Sequence, residues 1–257
     1  MSSLLVLNEK DCEGLAWCPP LDCMFAADRP LVPLHVGELA QAVTTMPIAV
    51  VMQEGVWRLV GVCGVQPDHN VFIRKGKWLG QYLPEWLQTW PFESVKVGEK
   101  VLLAFDRDSG LLSQQAGYNE QTVEAFFDQG GQLGSATAKR VDALKRNFPK
   151  QQKTQNALRA LSRYNLLMPW PEALRDQLGV TIEGLQMVDE RALSKLGNDE
   201  FLSLRETGAL PVAYSINLSV PQSHLLTRLS RLNPASYETV DLDTLFGEED
   251  DNLSFNC

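Results

Sequence analysis

The chain has 257 residues, 44% of them hydrophobic and 21% charged, the balance of a globular protein that can bury a core without disulfide or metal staples. Its formal net charge of −9 is concentrated in one stretch: Ser236–Cys257 carries Glu238, Asp241, Asp243, Glu248, Glu249, Asp250 and Asp251 with no Lys or Arg, which leaves the body nearly neutral. The acidic pI therefore reports that stretch rather than the folded surface, and with no window of about 18 uninterrupted apolar residues no membrane span is expected.

The N-terminal sequence MSSLLVLNEKDCEG has an apolar run of only four residues before Asn8 and no basic residue ahead of it, unlike a secretory signal. The five cysteines, Cys12, Cys18, Cys23, Cys63 and Cys257, are odd in number, and reduced thiols in the cytoplasm are the expectation. The first three follow a C-x5-C-x4-C pattern with His35 further on. That misses the short knuckles of a zinc site, so packing cysteines are expected, with no metal and no cofactor.

In chain order, residues 1–34 read as irregular, with a short strand at Leu4–Leu7. Gly37–Thr45 has helical spacing at Leu39, Ala42 and Val43 and stops at Met46-Pro47, because proline disfavours helix in the residue before it. Ile48–Met52 and Val56–Val65 read as two strands joined by a turn at Glu54-Gly55. In KWLGQYLPEWLQTWPF, Leu79, Leu83, Trp86, Leu87 and Trp90 recur at helical spacing, which predicts a helix with an apolar stripe in the core rather than a base-stacking platform. Lys100–Phe105 reads as a strand; the Asp106–Gly110 turn lacks the glycine and glutamate positions of an EF-hand. Thr122–Asp128 reads as a short helix, and Ser135–Leu167 as two amphipathic segments parted by Pro149. A strand at Val180–Val188 is followed by helices at Asp189–Leu196, Asn198–Thr207, Ala209–Leu218 and Gln222–Leu232.

Two segments stand out by charge. Ser135–Leu167 carries Lys139, Arg140, Lys145, Arg146, Lys150, Lys153, Arg159 and Arg163 against Asp142 alone. A solvated helix face accounts for this; phosphate contact is disfavoured because no nucleic-acid recognition motif accompanies it. A protein partner, or the chain's own acidic tail, is the remaining reading. In that tail, Leu242, Leu245 and Phe246 are candidate docking residues, and its composition is that of a disordered segment. Lys139, Arg140, Lys145 and Arg146 are the matching candidates on the basic segment. Four further residues are the catalytic candidates: His35, Glu38, Cys63 and His69. His35-x-x-Glu38 puts two polar groups within one helical turn, although capping serves that spacing equally. Cys63 lies in a strand with no base or helix terminus beside it to lower its pKa.

The chain resembles the bacterial SapC family. The resemblance is carried by PLVPLHVGELAQAVTTMPIAVV at Pro30–Val51, GVCGVQPDHNVFI at Gly61–Ile73, GKWLGQYLPEWLQTWPF at Gly76–Phe92 and DRDSGLLS at Asp106–Ser113. LLMPWP at Leu166–Pro171 and DEFLSLRETGALPVAYS at Asp199–Ser215 match more weakly. The family is named from a surface-layer locus, which implies surface-protein presentation or secretion. Association of its members with tryptophan-halogenase-like enzymes, cupin-like proteins and outer-membrane receptors implies an accessory protein in a surface-protein or peptide-modification pathway. It implies no catalytic residue.

The expected fold is α+β, a mainly antiparallel sheet over residues 4–105 packed against a helical C-terminal half. Residues 1–235 are expected to form one globular domain and 236–257 an acidic tail. The favoured function is a non-catalytic binding protein with a protein partner. An enzyme with a small polar pocket near His35 and Cys63, or a surface-layer presentation or secretion component, are the alternatives. No phosphate-binding loop, dinucleotide fingerprint or nucleophile elbow is present in the sequence.

Overall fold

The computed structural model of the chain describes residues 4–98, 100–114 and 123–233. Two short strands, β1 (Leu4–Val6) and β2 (Leu15–Trp17), precede β3 (Leu31–Pro33). A 3-10 turn at Val36–Glu38 leads into a single turn of helix, α1 (Leu39–Ala42). The apolar, β-branched runs IAVVMQ and VWRLVGV then form a hairpin of β4 (Ile48–Gln53) and β5 (Val56–Val62). Its two turn residues, Glu54 and Gly55, have φ of 49° and 76°, the left-handed pair that matches the twist of the flanking strands. Next come β6 (Ile73–Arg74), β7 (Lys77–Trp78), α2 (Glu85–Thr89), β8 (Phe92–Val97), β9 (Lys100–Asp106), β10 (Leu112–Gln114) and β11 (Glu124–Ala125). The second half is dominated by α3 (Ser135–Arg163), followed by β12 (Leu167–Pro169), α4 (Glu172–Leu178), β13 (Gln186–Val188) and α5 (Glu190–Ser194). It closes with α6 (Asn198–Glu206), α7 (Ala209–Ser219) and α8 (Ser223–Leu232).

The class is α+β, as expected, but the sheet is not confined to the first half. The largest sheet has the order β12-β13-β4-β5-β3, all antiparallel, so strands from residues 167–188 extend the central hairpin. Of the strand expected over Val180–Val188 only Gln186–Val188 forms, and β12, which the sequence did not suggest, is also three residues long, too short to show a period of two. Smaller sheets, β1-β9-β8 and β10-β2-β11, and the ribbon β6-β7 account for the other strands.

Two apolar clusters result. The main one gathers the β3–β5 residues, Leu39, Ala42, Met46 and the buried faces of α3 and α7. The second is aromatic: Trp17, Phe92, Phe105 and Phe126 meet edge to face in every pair but the stacked Trp17–Phe126, with ring centroids as close as 4.9 Å (Trp17–Phe92) and 5.0 Å (Phe105–Phe126), an arrangement that aromatic quadrupoles favour. α3 spans both, burying Leu144 in the aromatic cluster and Ala157, Leu158 and Leu161 in the main one. Its first turn has Gly134 as N-cap and so no side-chain cap of its own. The Glu124 carboxylate fills that role, accepting from the N–H groups of Ala136 (2.8 Å) and Thr137 (3.0 Å), an anion at the positive end of the helix dipole.

Three further expectations are corrected. α3 runs unbroken through Pro149. A proline in a helix interior costs about 3 kcal/mol, but each fully buried leucine contributes roughly 1.5–3 kcal/mol. With Leu144 on one side of Pro149 and Leu158 and Leu161 on the other, tertiary packing outweighs local propensity. The aromatic-rich run forms helix only over Glu85–Thr89; before it, Lys77 and Trp78 pair as a strand and Leu79 is exposed. Residues 123–128 are not helical: Glu124–Ala125 pairs with β2, and Phe126 enters the aromatic cluster.

Candidate functional site

His35 and Glu38 stand at the two ends of the 3-10 turn that enters α1. The turn repeats half of a capping box, with Glu38 Oε2 accepting the His35 backbone N–H at 2.9 Å. Glu38 is 1% exposed, and its other oxygen accepts the Tyr82 hydroxyl (2.8 Å) and the Glu85 backbone N–H (2.8 Å). Three donors thus replace water around a buried carboxylate, which is what allows a charge-bearing group there at all. The His35 ring places Nε2 at 3.2 Å from Glu85 Oε2 and Nδ1 at 3.4 Å from Glu38 Oε2, the latter without hydrogen-bond geometry. Lys150 of α3 completes the array, its Nζ reaching Glu85 Oε1 at 3.4 Å and Asn147 Oδ1 at 3.2 Å.

The electrostatics follow from these neighbours. Burial pushes the Tyr82 phenol well above its ordinary range, and the adjacent Glu38 charge and hydrogen bond, then Glu85, push the same way. Burial also pushes the Glu85 carboxyl up, but His35 and Lys150 outweigh it and hold Glu85 below the usual carboxylate range. The backbone is tied in as well: Val36 N–H donates to Thr154 Oγ1 at 2.9 Å, and that hydroxyl donates to the Lys150 carbonyl at 2.8 Å. Gly37 permits the approach, since a Cβ there would lie 2.7 Å from Lys150 Cδ. Chemically, this is a clamp joining the β3–α1 turn, the start of α2 and the middle of α3. The His35 side chain is 4% exposed and its polar neighbours are committed to one another.

The outer side of the same turn faces a cleft of about 800 Å³. Val36 and Leu39 line it from the turn; Lys153, Asn156, Arg159, Arg163 and Tyr164 line it from α3; Arg205, Glu206 and Pro211 line it from the α6–α7 corner. The positions along α3 recur every three or four residues, so one helix face presents the cations. Among the described residues ion pairs are confined to the His35 cluster, so Lys153, Arg159, Arg163 and Arg205 have no carboxylate partner. Glu206 is the one acid in the lining. A concave surface with that imbalance attracts anions. From Pro211 an exposed apolar stripe continues along α7 through Tyr214 and Leu218, while Val212, Ala213 and Ile216 on the opposite face are buried.

Of the residues singled out from sequence, His35 and Glu38 come together. Cys63 lies just after β5, fully buried in the main core, where burial pushes its thiol far up. His69 is elsewhere, its Nε2 at 2.6 Å from the Asn233 carbonyl oxygen. Lys139, Lys145 and Arg146 are exposed on the first half of α3. Arg140 is not a surface contact: its guanidinium lies 4.8 Å from the Trp17 ring centroid, it donates to the Trp90 and Ala136 carbonyls, and burial lowers its pKa. Leu242, Leu245 and Phe246 lie outside the described residues. Tyr82, Glu85, Arg205 and Pro211 were not found from sequence, because none is near its partners along the chain. Lys153, Arg159 and Arg163 were visible as charge, but not as one wall of a cleft.

Among the described residues no group of three or more His, Cys, Asp and Glu side chains is arranged to hold a metal ion, and no helix is long and apolar enough to cross a membrane. The SapC family model matches residues 7–226. No curated protein and no solved structure matches the chain. The matched span contains the His35 clamp, the basic cleft and, apart from Leu5, the buried residues of both apolar clusters, and the chain belongs to the SapC family.

Proposed function

We propose that the chain is a non-catalytic accessory protein that captures an acidic segment of a partner protein in the cleft between α3 and the α6–α7 corner. The observation that carries this reading is the set of four cations, Lys153, Arg159, Arg163 and Arg205, lining a concave surface against a single carboxylate and ion-paired with none among the described residues. Arginine suits the role because its planar fork takes a carboxylate in two parallel hydrogen bonds. The setting, a bacterial surface-protein or peptide-modification pathway, rests on the family resemblance alone, and its cytoplasmic location on the odd cysteine count. Within it, a tryptophan-halogenase-like enzyme or an outer-membrane receptor system is the class of partner to look for.

Affinity capture from the native bacterium, with the wild-type chain and an Arg159→Glu/Arg163→Glu variant in parallel, tests the proposal. A protein retained by the wild type, lost with the variant and released by about 0.5 M salt, where the Debye length falls to a few ångströms, is the expected result. The same proteins captured equally by both chains would refute it.

A further inference from the structure

The cleft and the acidic segment are complementary in two independent ways. The cleft offers Lys153, Arg159, Arg163 and Arg205; residues 238–251 carry seven carboxylates and no basic group. The cleft also runs into the exposed apolar stripe of Pro211, Tyr214 and Leu218, which is about 10 Å long at the helical rise of 1.5 Å per residue. Leu242, Leu245 and Phe246 are spaced i, i+3, i+4, the pattern of anchors that fill an apolar groove. Acids flank those anchors on both sides, at Asp241 and at Glu248–Asp251, and Asp243 lies among them. A solvated tail needs the charges but not the anchors.

The tether is comparable in length to the body it has to cross. Asn233 is fixed by donating to the Val71 and Ile73 carbonyls. From there to Phe246 is about 13 residues, which extend to roughly 43 Å. A folded body of this size has a radius of gyration of about 17 Å. Tethered this way, the segment experiences an effective concentration on the order of 1 mM. An intrinsic Kd of about 0.1 mM is then enough to fill the cleft roughly nine-tenths of the time.

We propose that the chain's own segment 241–251 occupies the basic cleft in cis, so that an acidic partner binds only by displacing it. The inference rests on the cleft being the anion-binding surface of the preceding subsection and adds its regulation. Acid side chains of the segment take the arginines, and Leu242, Leu245 and Phe246 cover the α7 stripe.

The test uses full-length chains and a fluorescein-labelled peptide of residues 239–251, followed by anisotropy. One chain is wild type. A second carries D241N, D243N, E248Q, E249Q, D250N and D251N, and a third adds R159E and R163E to those. The neutralised chain should bind the peptide about tenfold more tightly than wild type, and the third chain should not bind it. Equal binding to the first two overturns cis occupancy and leaves the cleft as an open acidic-peptide site. An unrelated peptide of equal charge separates the remaining cases. If it binds the neutralised chain where the tail peptide does not, cis occupancy fails and the cleft reading stands; if neither binds, both fail. A wild-type mass that doubles with concentration while the neutralised chain stays monomeric assigns the segment to a second copy and overturns the cis form.

Discussion

Replacing Glu38 by alanine removes the single group on which the Tyr82 hydroxyl and the backbone N–H groups of His35 and Glu85 converge. Each buried donor left without an acceptor costs about 1–3 kcal/mol. Water entering the vacated space recovers part of that, so a net loss of about 3–5 kcal/mol is expected. For a chain of this size that lowers Tm by on the order of 10 °C. Glu38→Gln should fall in between: its oxygen still serves Tyr82 and Glu85, but its amide NH2 meets the His35 N–H donor to donor. Tyr82→Phe, which leaves the carboxylate with two donors, should cost only about 1 kcal/mol. Urea unfolding followed by tryptophan fluorescence suits the assay because Trp86 lies on α2 and Trp90 at its C-terminal end. A Glu38→Ala variant within about 1 kcal/mol of wild type, or a Tyr82→Phe variant as unstable as Glu38→Ala, would refute the account of Glu38 as the hub.

Glu85 titrates below its usual range in the folded chain, so its stabilising contribution is present above the unfolded carboxyl pKa of about 4.3 and is lost as pH falls through the lower folded value. Glu85→Gln should therefore be less stable than wild type at pH 7, with the gap in urea midpoint closing toward pH 3; a gap constant across that range contradicts the assignment. Pro149→Ala should stabilise the chain by about 1–3 kcal/mol, because α3 is helical on both sides of the proline; a drop in Tm would mean that packing depends on a bend there. Cys63, buried and with its thiol pushed up, should resist a thiol reagent in the native chain and react on unfolding. Rapid native-state labelling at that position would contradict its placement in the core.

Legibility from sequence followed range of interaction. The β4–β5 hairpin and its Glu54-Gly55 turn are local features, and their bounds were read to within a few residues. α5, α6, α7 and α8 were read nearly as well, because Asp189 caps one with its side chain and Gly208 takes the left-handed conformation between two others. Errors arose where distant residues override local pattern. Pro149 reads as a break until Leu144 and Leu158 are known to sit in different clusters. Residues 123–128 have helix-like spacing, yet β2 recruits Glu124–Ala125 and the aromatic cluster takes Phe126. The candidate site divides the same way: His35 and Glu38 are three apart, whereas Glu85 joins them from 47 and 50 residues away and Lys150 reaches Glu85 from 65.

The clamp and the cleft share the residues Val36–Leu39, and that sharing bears on how the cleft works. His35 and Glu38 turn inward to Tyr82, Glu85 and Lys150, while Val36 and Leu39 line the outer surface beside Lys153. Lys150 and Lys153 are neighbours on α3, one committed to Glu85 and the other lining the cleft with no ion pair among the described residues. The buried network therefore fixes the position of the helix on which the cations are mounted, so less ordering remains to be done when an anion arrives. The two sets should separate by experiment. Loss of Glu38 lowers stability and weakens acidic-peptide binding only through it, whereas Arg159→Glu/Arg163→Glu abolishes binding with little change in stability, since both arginines are exposed. If the arginine variant unfolds as readily as Glu38→Ala, the cleft cations belong to the structural frame and not to a recognition surface.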